Sequence, residues 1–350
     1  MTAARHPLRP AHLPQILALA MFIGVALAGA VVFGPAPVAA QADPAARAWN
    51  APVEPFRIAG NLYYVGAADI SSFLITTPAG HILLDGGFVE TAPLIAANVQ
   101  KLGFRLADVK ILLNSHAHFD HAGGLARLQE LTGARFIASA GDAPLLAAGG
   151  KGDFRWGDQA PFPPIRADRV IADGDTVSLG GTVLTAHLTP GHTKGCTTWT
   201  LTVVDEAGVR DDKGKSAAAR KSFKVVFVGS TTINPGVRLV DRPSYPGIAS
   251  DYATSFRVLK ALPCDIFLGP HGSFFNLEEK ARRLAAGRAG GAGSPGGTEG
   301  GGVNPFVDPE GYKGFVAKTE RAYLDQIAAE RVEATAGGKG GPAKPAKQAS

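Results

Sequence analysis

The order of its apolar runs limits what this chain can fold into more than any other feature. Three short strand-like runs follow one another: NLYYVG (61–66), SSFLITT (71–77) and HILLDGG (81–87), separated by Gly, Pro and Asn. TAPLIAANVQKLG (91–103) then has helical spacing at Leu94, Ile95, Val99 and Leu102, with Thr91 as cap and Gly103 as stop. VKILLNS (109–115) predicts a buried strand and GGLARLQELTG (123–133) a helix. A second set follows: a strand at 134–139, a short helix at 141–150 and hairpin strands within 168–193. Strands at 197–204 and 224–230 flank a polar loop, before a helix at 248–263 and a strand at 264–272. A terminal helix is predicted from about Gly311 to 333, with Phe315, Tyr323, Leu324 and Ile327 toward the core. Two α/β halves, each with its own sheet, fit this order better than one doubly wound sheet.

The ends of the chain read differently. Arg5 and Arg9 precede an uncharged, mostly apolar run from Ile16 to Phe33, and small residues follow. That is the pattern of an export signal over residues 1–40, with Val38-Ala39-Ala40 and Ala40-Gln41-Ala42 as candidate cleavage sites. An uncleaved anchor is the alternative, because the run just reaches the length of a membrane span. Either way the folded part is expected in the periplasm or the medium. Residues 41–333 then form the folded domain, starting with a linker to Pro55. Residues 285–302 read as a flexible Gly-rich insertion and 334–350 as a disordered tail. The composition, 45% hydrophobic and 19% charged, suits a soluble globular protein. Net charge is only +5 and its positive residues are scattered, so no nucleic-acid partner is expected. Nor is membrane contact beyond the signal; a monomer acting on a small molecule is. Two cysteines, Cys196 and Cys264, are too few for a disulfide scaffold and read as separate thiols as readily as a pair.

The chemistry concentrates in LLNSHAHFDHAGG (112–124). His116 and His118 lie two apart, so an extended segment points both the same way, toward one metal ion. Asp120 and His121 follow as the chain turns into its helix and aim at a neighbouring point, which suits two metals better than one. Further ligands must come from elsewhere. His192 in LTPGHTKG and His271 in FLGPHGSF sit in turns after strands, where scaffolds carry functional side chains. His81 and His187 lie inside strand-like runs and read as structural. Zinc favours histidine nitrogen, and a purely structural zinc is disfavoured because cysteine ligands are missing from the motif.

The HxHxDH motif after a strand resembles the signature of the metallo-β-lactamase superfamily, whose α/β fold is an αββα sandwich of two mixed sheets flanked by helices. The resemblance covers almost all of residues 49–333 outside the Gly-rich insertion. It implies two Zn2+ ions: His116, His118 and His192 on the first, Asp120, His121 and His271 on the second. It implies that Asp85, in ILLDGG, buttresses the ligand loop. Glyoxalase II-like enzymes and many lactonases place a metal-bridging Asp at the end of the strand 224–230, and B1 and B2 lactamases place a Cys there. This chain has Gly229, Ser230, Thr231 and Thr232. That pattern, with His121 as the extra ligand, resembles subclass B3. EPFRIAGNLYYVG (54–66), GDFRWGDQAPFPP (152–164), YPGIASDY (245–252) and ALPCDIFLGPHGSFF (261–275) agree with it. Some members pair the Cys of ALPC with a later Cys, but none follows Cys264 here.

The implied reaction is β-lactam hydrolysis by attack of a zinc-bound hydroxide, on penicillins, cephalosporins and carbapenems. The alternative is another hydrolase of the same fold, a lactonase or an esterase. Ser230, Thr231 and Thr232 are the candidates to bind the substrate carboxylate. Trp156 and Gln159, with Phe154, lie in a loop expected to roof the groove; ordinary packing is the competing account of each aromatic.

Overall fold

The computed structural model describes residues 44–210, 216–290 and 304–337. The export segment, residues 291–302 of the Gly-rich insertion and the tail beyond 337 lie outside the described residues. Among the described residues, no helix is long and apolar enough to cross a membrane.

Two sheets carry the fold. The first has seven strands in sequence order: β1 (Phe56–Ala59), β2 (Leu62–Tyr64), β3 (Phe73–Thr77), β4 (Gly80–Leu84), β5 (Val109–Leu113), β6 (Arg135–Ser139) and β7 (Arg169–Ile171). It is antiparallel from β1 to β4 and parallel from β4 to β7. The second has five strands, β8 (Thr176–Leu179), β9 (Thr182–Leu188), β10 (Thr197–Arg210), β11 (Ser216–Phe227) and β12 (Ile266–Leu268), ordered β12-β11-β10-β9-β8. Only its β11–β12 pair is parallel.

The two-residue period of a strand sorts the side chains. Ile111 and Leu113 of β5, and Ile82 and Leu84 of β4, join the core that includes Trp199, Leu201 and Phe227 of the second sheet. Leu112 and Leu83 face the other way. There they meet Ile95 and Val99 of α2 (Thr91–Lys101) and Leu125 and Leu128 of α4 (Leu125–Thr132). On the far side, Phe267 of β12 packs against Tyr312 and Phe315 of α8 (Pro309–Gly337), ring centroids 5.5 and 5.1 Å apart. Tyr252 and Phe256 of α6 (Ile248–Ala261) stack near Tyr323 of α8. Helices therefore cover both outer faces, the αββα arrangement expected from the sequence.

Several boundaries differ from expectation. A helical turn, α1 (Pro44–Trp49), lies within the expected linker, and β1 precedes the three strands read from the sequence. Thr91 does not cap α2: Glu90 holds the cap position, and the Thr91 hydroxyl donates instead to Asn50 Oδ1 at 2.6 Å. β10 and β11 run on through most of the expected polar loop, paired as far as Arg210 and Ser216. The charged residues there suggested a loop, but a two-stranded ribbon needs only backbone hydrogen bonds to continue. α7 (Leu277–Gly290) takes in residues 285–290, and α8 runs four residues past 333. Pro309 opens α8, and the Asp308 carboxylate accepts the Gly311 N–H at 2.8 Å, an N-terminal cap. Both cysteines are free thiols.

Candidate metal centre

The motif residues gather where strands end. β5 delivers His116 and His118; the short helix α3 (Phe119–Ala122) carries Asp120 and His121. His192 sits in the turn after β9, and His271 follows β12. Crevices beyond the carboxyl ends of strands are common ligand sites in α/β proteins. The turn before His192 needs its glycine: Gly191 has φ +133°, and a Cβ there would lie 2.7 Å from the Tyr252 ring.

Two clusters of ligand-type atoms result, His116–His118–His192 and His116–Asp120–His121, each with its atoms within 4.8 Å of one another. His271 joins the second: its Nε2 lies 3.3 Å from His121 Nε2 and 3.5 Å from Asp120 Oδ2. His116 borders both, its ring 4.6 Å from that of His192 and 4.4 Å from that of His121. All six are buried or nearly so. His81 and His187 stand outside both clusters; His81 packs on Phe104, and His187 Nε2 meets Thr200 Oγ1 at 2.9 Å.

The hydrogen bonds behind the rings fix where their lone pairs point. His192 Nδ1 lies 2.7 Å from the Thr232 carbonyl, which only an N–H satisfies, so its Nε2 is a bare acceptor. That Nε2 faces His118 Nδ1 at 3.0 Å. The other nitrogen of His118, Nε2, lies 3.7 Å from the Asp153 carboxylate, and neither atom has a hydrogen-bond partner. The buried His116 Nε2 beside them has no hydrogen-bond partner either. On the other side, Asp69 Oδ2 takes the His271 Nδ1–H at 2.8 Å, which turns Nε2 toward His121 and Asp120. A cation between these rings would take up the close-set nitrogens and the orphaned His116 Nε2. A three-imidazole set and a carboxylate–imidazole set suit a borderline metal such as zinc.

Electrostatics agree. Burial and the neighbouring imidazoles hold His116 and His192 well below the ordinary histidine range, so both stay neutral donors. Burial works to raise Asp120, but His121 and His271 win and keep it ionised. Burial would lower His271, yet Asp120 and Asp69 push it up to about 9.

A carboxylate shell supports the ligand loops. Asp85 Oδ1 accepts the Ser115 N–H at 2.6 Å, as its expected buttress role requires, and burial pushes it up to about 6. Sequence reading missed the others. Asp142 accepts N–H bonds from Ala117 at 2.9 Å and Gly195 at 2.7 Å, and the Thr193 hydroxyl at 2.8 Å. It thereby ties the His116–His118 loop to the His192 turn. Asp69 and Asp153 stand behind His271 and His118. No local pattern marks these three, because each partner lies tens to hundreds of residues away.

The expected substrate contacts fare unevenly. Ser230 and Thr231 are 3% and 2% exposed, whereas Thr232 is half-buried, its hydroxyl 3.1 Å from His192 Nδ1 and 3.2 Å from Ser230 Oγ. Trp156 stands edge-on to His118 at 6.5 Å, with the Arg155 guanidinium over its ring. Gln159 is exposed, and its backbone N–H turns back onto the Trp156 carbonyl. Phe154 does not stand over the metal ligands but packs on Tyr245 at 4.8 Å. Trp49, from the expected linker, sets its ring edge against His271 at 5.5 Å.

Comparison with known proteins fits this geometry. Residues 65–203 match the model of the metallo-β-lactamase superfamily. The FEZ-1 metallo-β-lactamase of Legionella gormanii is 42% identical, with a TM-score of 0.70 over 81% of this chain and 98% of that one. BJP-1, a subclass B3 metallo-β-lactamase of Bradyrhizobium japonicum, is 35% identical, with a TM-score of 0.68 over 83% and 99%. A hydroxyacylglutathione hydrolase of Hyphomonas neptunium is 34% identical over 104 residues, but the match spans only 30% of this chain and 32% of that protein. Two mixed sheets, a histidine-rich site at their strand ends and near-complete coverage of such relatives lead to one conclusion: this chain is a hydrolase-fold member of the metallo-β-lactamase superfamily.

Proposed function

We propose that the protein is a β-lactamase of the B3 kind, working with two zinc ions on penicillins, cephalosporins and carbapenems. One observation carries this reading. The strand end Gly229–Thr232 offers neither the bridging Asp nor the Cys of other branches, while His121 stands 3.2 Å from Asp120 and 3.3 Å from His271. His116, His118 and His192 would hold one ion and Asp120, His121 and His271 the other. When bound, zinc supplies water acidified to a pKa of about 7 and a Lewis acid for the amide carbonyl.

The chain's own residues set the rest. Asp120, kept ionised, accepts a hydrogen bond from the attacking water and aims it. Thr232, the least buried of the three hydroxyl candidates, presents a donor for the substrate carboxylate, with Ser230 behind it. Trp156 closes the groove above His118 and limits water. The basic start and apolar run of residues 1–40 support export; N-terminal sequencing of the protein from a periplasmic fraction tests that.

Turnover of nitrocefin and imipenem by purified protein of measured zinc content, with and without chelator, tests the activity. No turnover of either with two zinc ions bound rejects it. The match to a hydroxyacylglutathione hydrolase makes a glutathione thioester the informative control: faster hydrolysis of the thioester than of any lactam favours that second reading.

A further inference from the structure

Behind the candidate substrate wall lies a carboxylate with no part in the metal centre. Residues 233–245 run from Thr232 to α6 without regular secondary structure, so their amides need outside partners. Glu330 of α8, 4% exposed, provides them. It accepts the N–H of Leu239 on both oxygens at 3.0 and 2.9 Å, of Val240 at 2.9 Å and of Asp241 at 3.4 Å. One turn earlier, Gln326 donates to the Val237 carbonyl at 2.7 Å and to Glu330 at 3.0 Å. Arg238 adds contacts to Asp241 and Glu333.

Both ends of this segment reach the site. At one end the Thr232 carbonyl receives His192 Nδ1 and the Tyr252 hydroxyl. At the other the Tyr245 ring packs on Phe154, two residues from Trp156. Between them, a Cβ on Gly236 would touch the Arg155 guanidinium carbon at 3.9 Å. We infer that Glu330 is a positioning residue: by gripping the backbone of 239–241 from the C-terminal helix, it sets the wall of the cleft that receives substrate. This rests on the reading that the cleft beside Thr232 takes the substrate.

Glu330→Gln keeps size but loses charge, and its amide turns donors toward N–H groups. The test compares zinc-loaded wild type with this variant in two measurements. Amide hydrogen exchange at 239–241 needs no substrate and should quicken about tenfold or more as charge-assisted bonds are lost. On whichever of nitrocefin, a lactone or the thioester the wild type turns over best, KM should rise about fivefold or more while kcat changes less than about twofold, since the wall binds substrate and transition state alike. Zinc content should not change. Gln326→Ala, a milder lesion, should move both readouts the same way by less. Unchanged exchange, or faster exchange with unchanged KM, overturns the inference, as does a kcat loss that follows lost zinc. Failure on lactams alone rejects the proposed function and leaves the positioning test readable on the other substrates.

Discussion

Replacing Asp142 by Ala should damage the protein severely although Asp142 is not among the proposed ligands. The carboxylate is 2% exposed and receives three short hydrogen bonds, from Ala117, Thr193 and Gly195. Alanine leaves three buried donors without acceptors, each costing about 1–3 kcal/mol. Burial pushes the Asp142 carboxyl up, so part of what its bonds contribute is already offset by desolvation. The net loss should fall near 3–6 kcal/mol, a large share of the roughly 5–15 kcal/mol that holds a domain together. Asp142→Asn keeps one acceptor oxygen but points an amide at the remaining donors, so about half that loss is expected. Urea unfolding should be followed in chelator, so that metal binding does not contribute. Zinc titration of the refolded variants should then show weakened binding at the His116–His118–His192 cluster, because its two loops are no longer tied. An alanine variant within about 1 kcal/mol of wild type would refute the reasoning, and would mean that water satisfies the three donors.

Three further outcomes follow from the same geometry. Asp69→Ala should weaken binding of the second zinc by about 10–100-fold and leave the first within a few-fold, as loss of a partner behind a ligating histidine does; competitive chelator titration reads both. His192→Ala should abolish the first zinc and His121→Ala the second, by metal analysis after dialysis, whereas His116→Ala should disturb both because His116 borders each cluster. Asp308 caps α8 and pairs with Lys280 at 2.7 Å; burial would raise it, but Lys280 and the Gly311 N–H hold it below the ordinary carboxylate range. Its contribution is therefore fully present above the unfolded carboxylate value and lost as pH falls through the lower folded one. In chelator, the stability gap between wild type and Asp308→Asn should close on acidification; a gap that widens instead contradicts the sign.

How much of this was legible in the sequence depends on distance along the chain. His116 to His121 fall within six positions, so their shared target shows as a spacing. The two-sheet architecture shows too, because strand and helix periods are local. His192 and His271 were findable only through their turn settings. Asp69 was not: its partner His271 lies 202 residues away, and GAADISS carries no pattern. Thr91 looked like a helix cap by local rules, but a tertiary bond to Asn50 claims its hydroxyl. Phe154 looked like part of a roof, yet Tyr245, 91 residues on, provides a better surface. Charge misled at 205–210 and 216–223, where backbone pairing outweighs side-chain solubility.

With His271 counted in the second, each cluster draws its members from both sheets. His116, His118, Asp120 and His121 follow β5 of the first; His192 and His271 follow β9 and β12 of the second. Neither proposed ligand set, His116–His118–His192 or Asp120–His121–His271, is complete on one half alone. An ion held in either is thus a clasp between layers, and its dissociation reports their alignment rather than the health of one loop. Metal release during unfolding should accordingly be cooperative and late, and mutations deep in the inter-sheet core, such as at Trp199 or Phe227, should register as lost metal affinity far from any ligand.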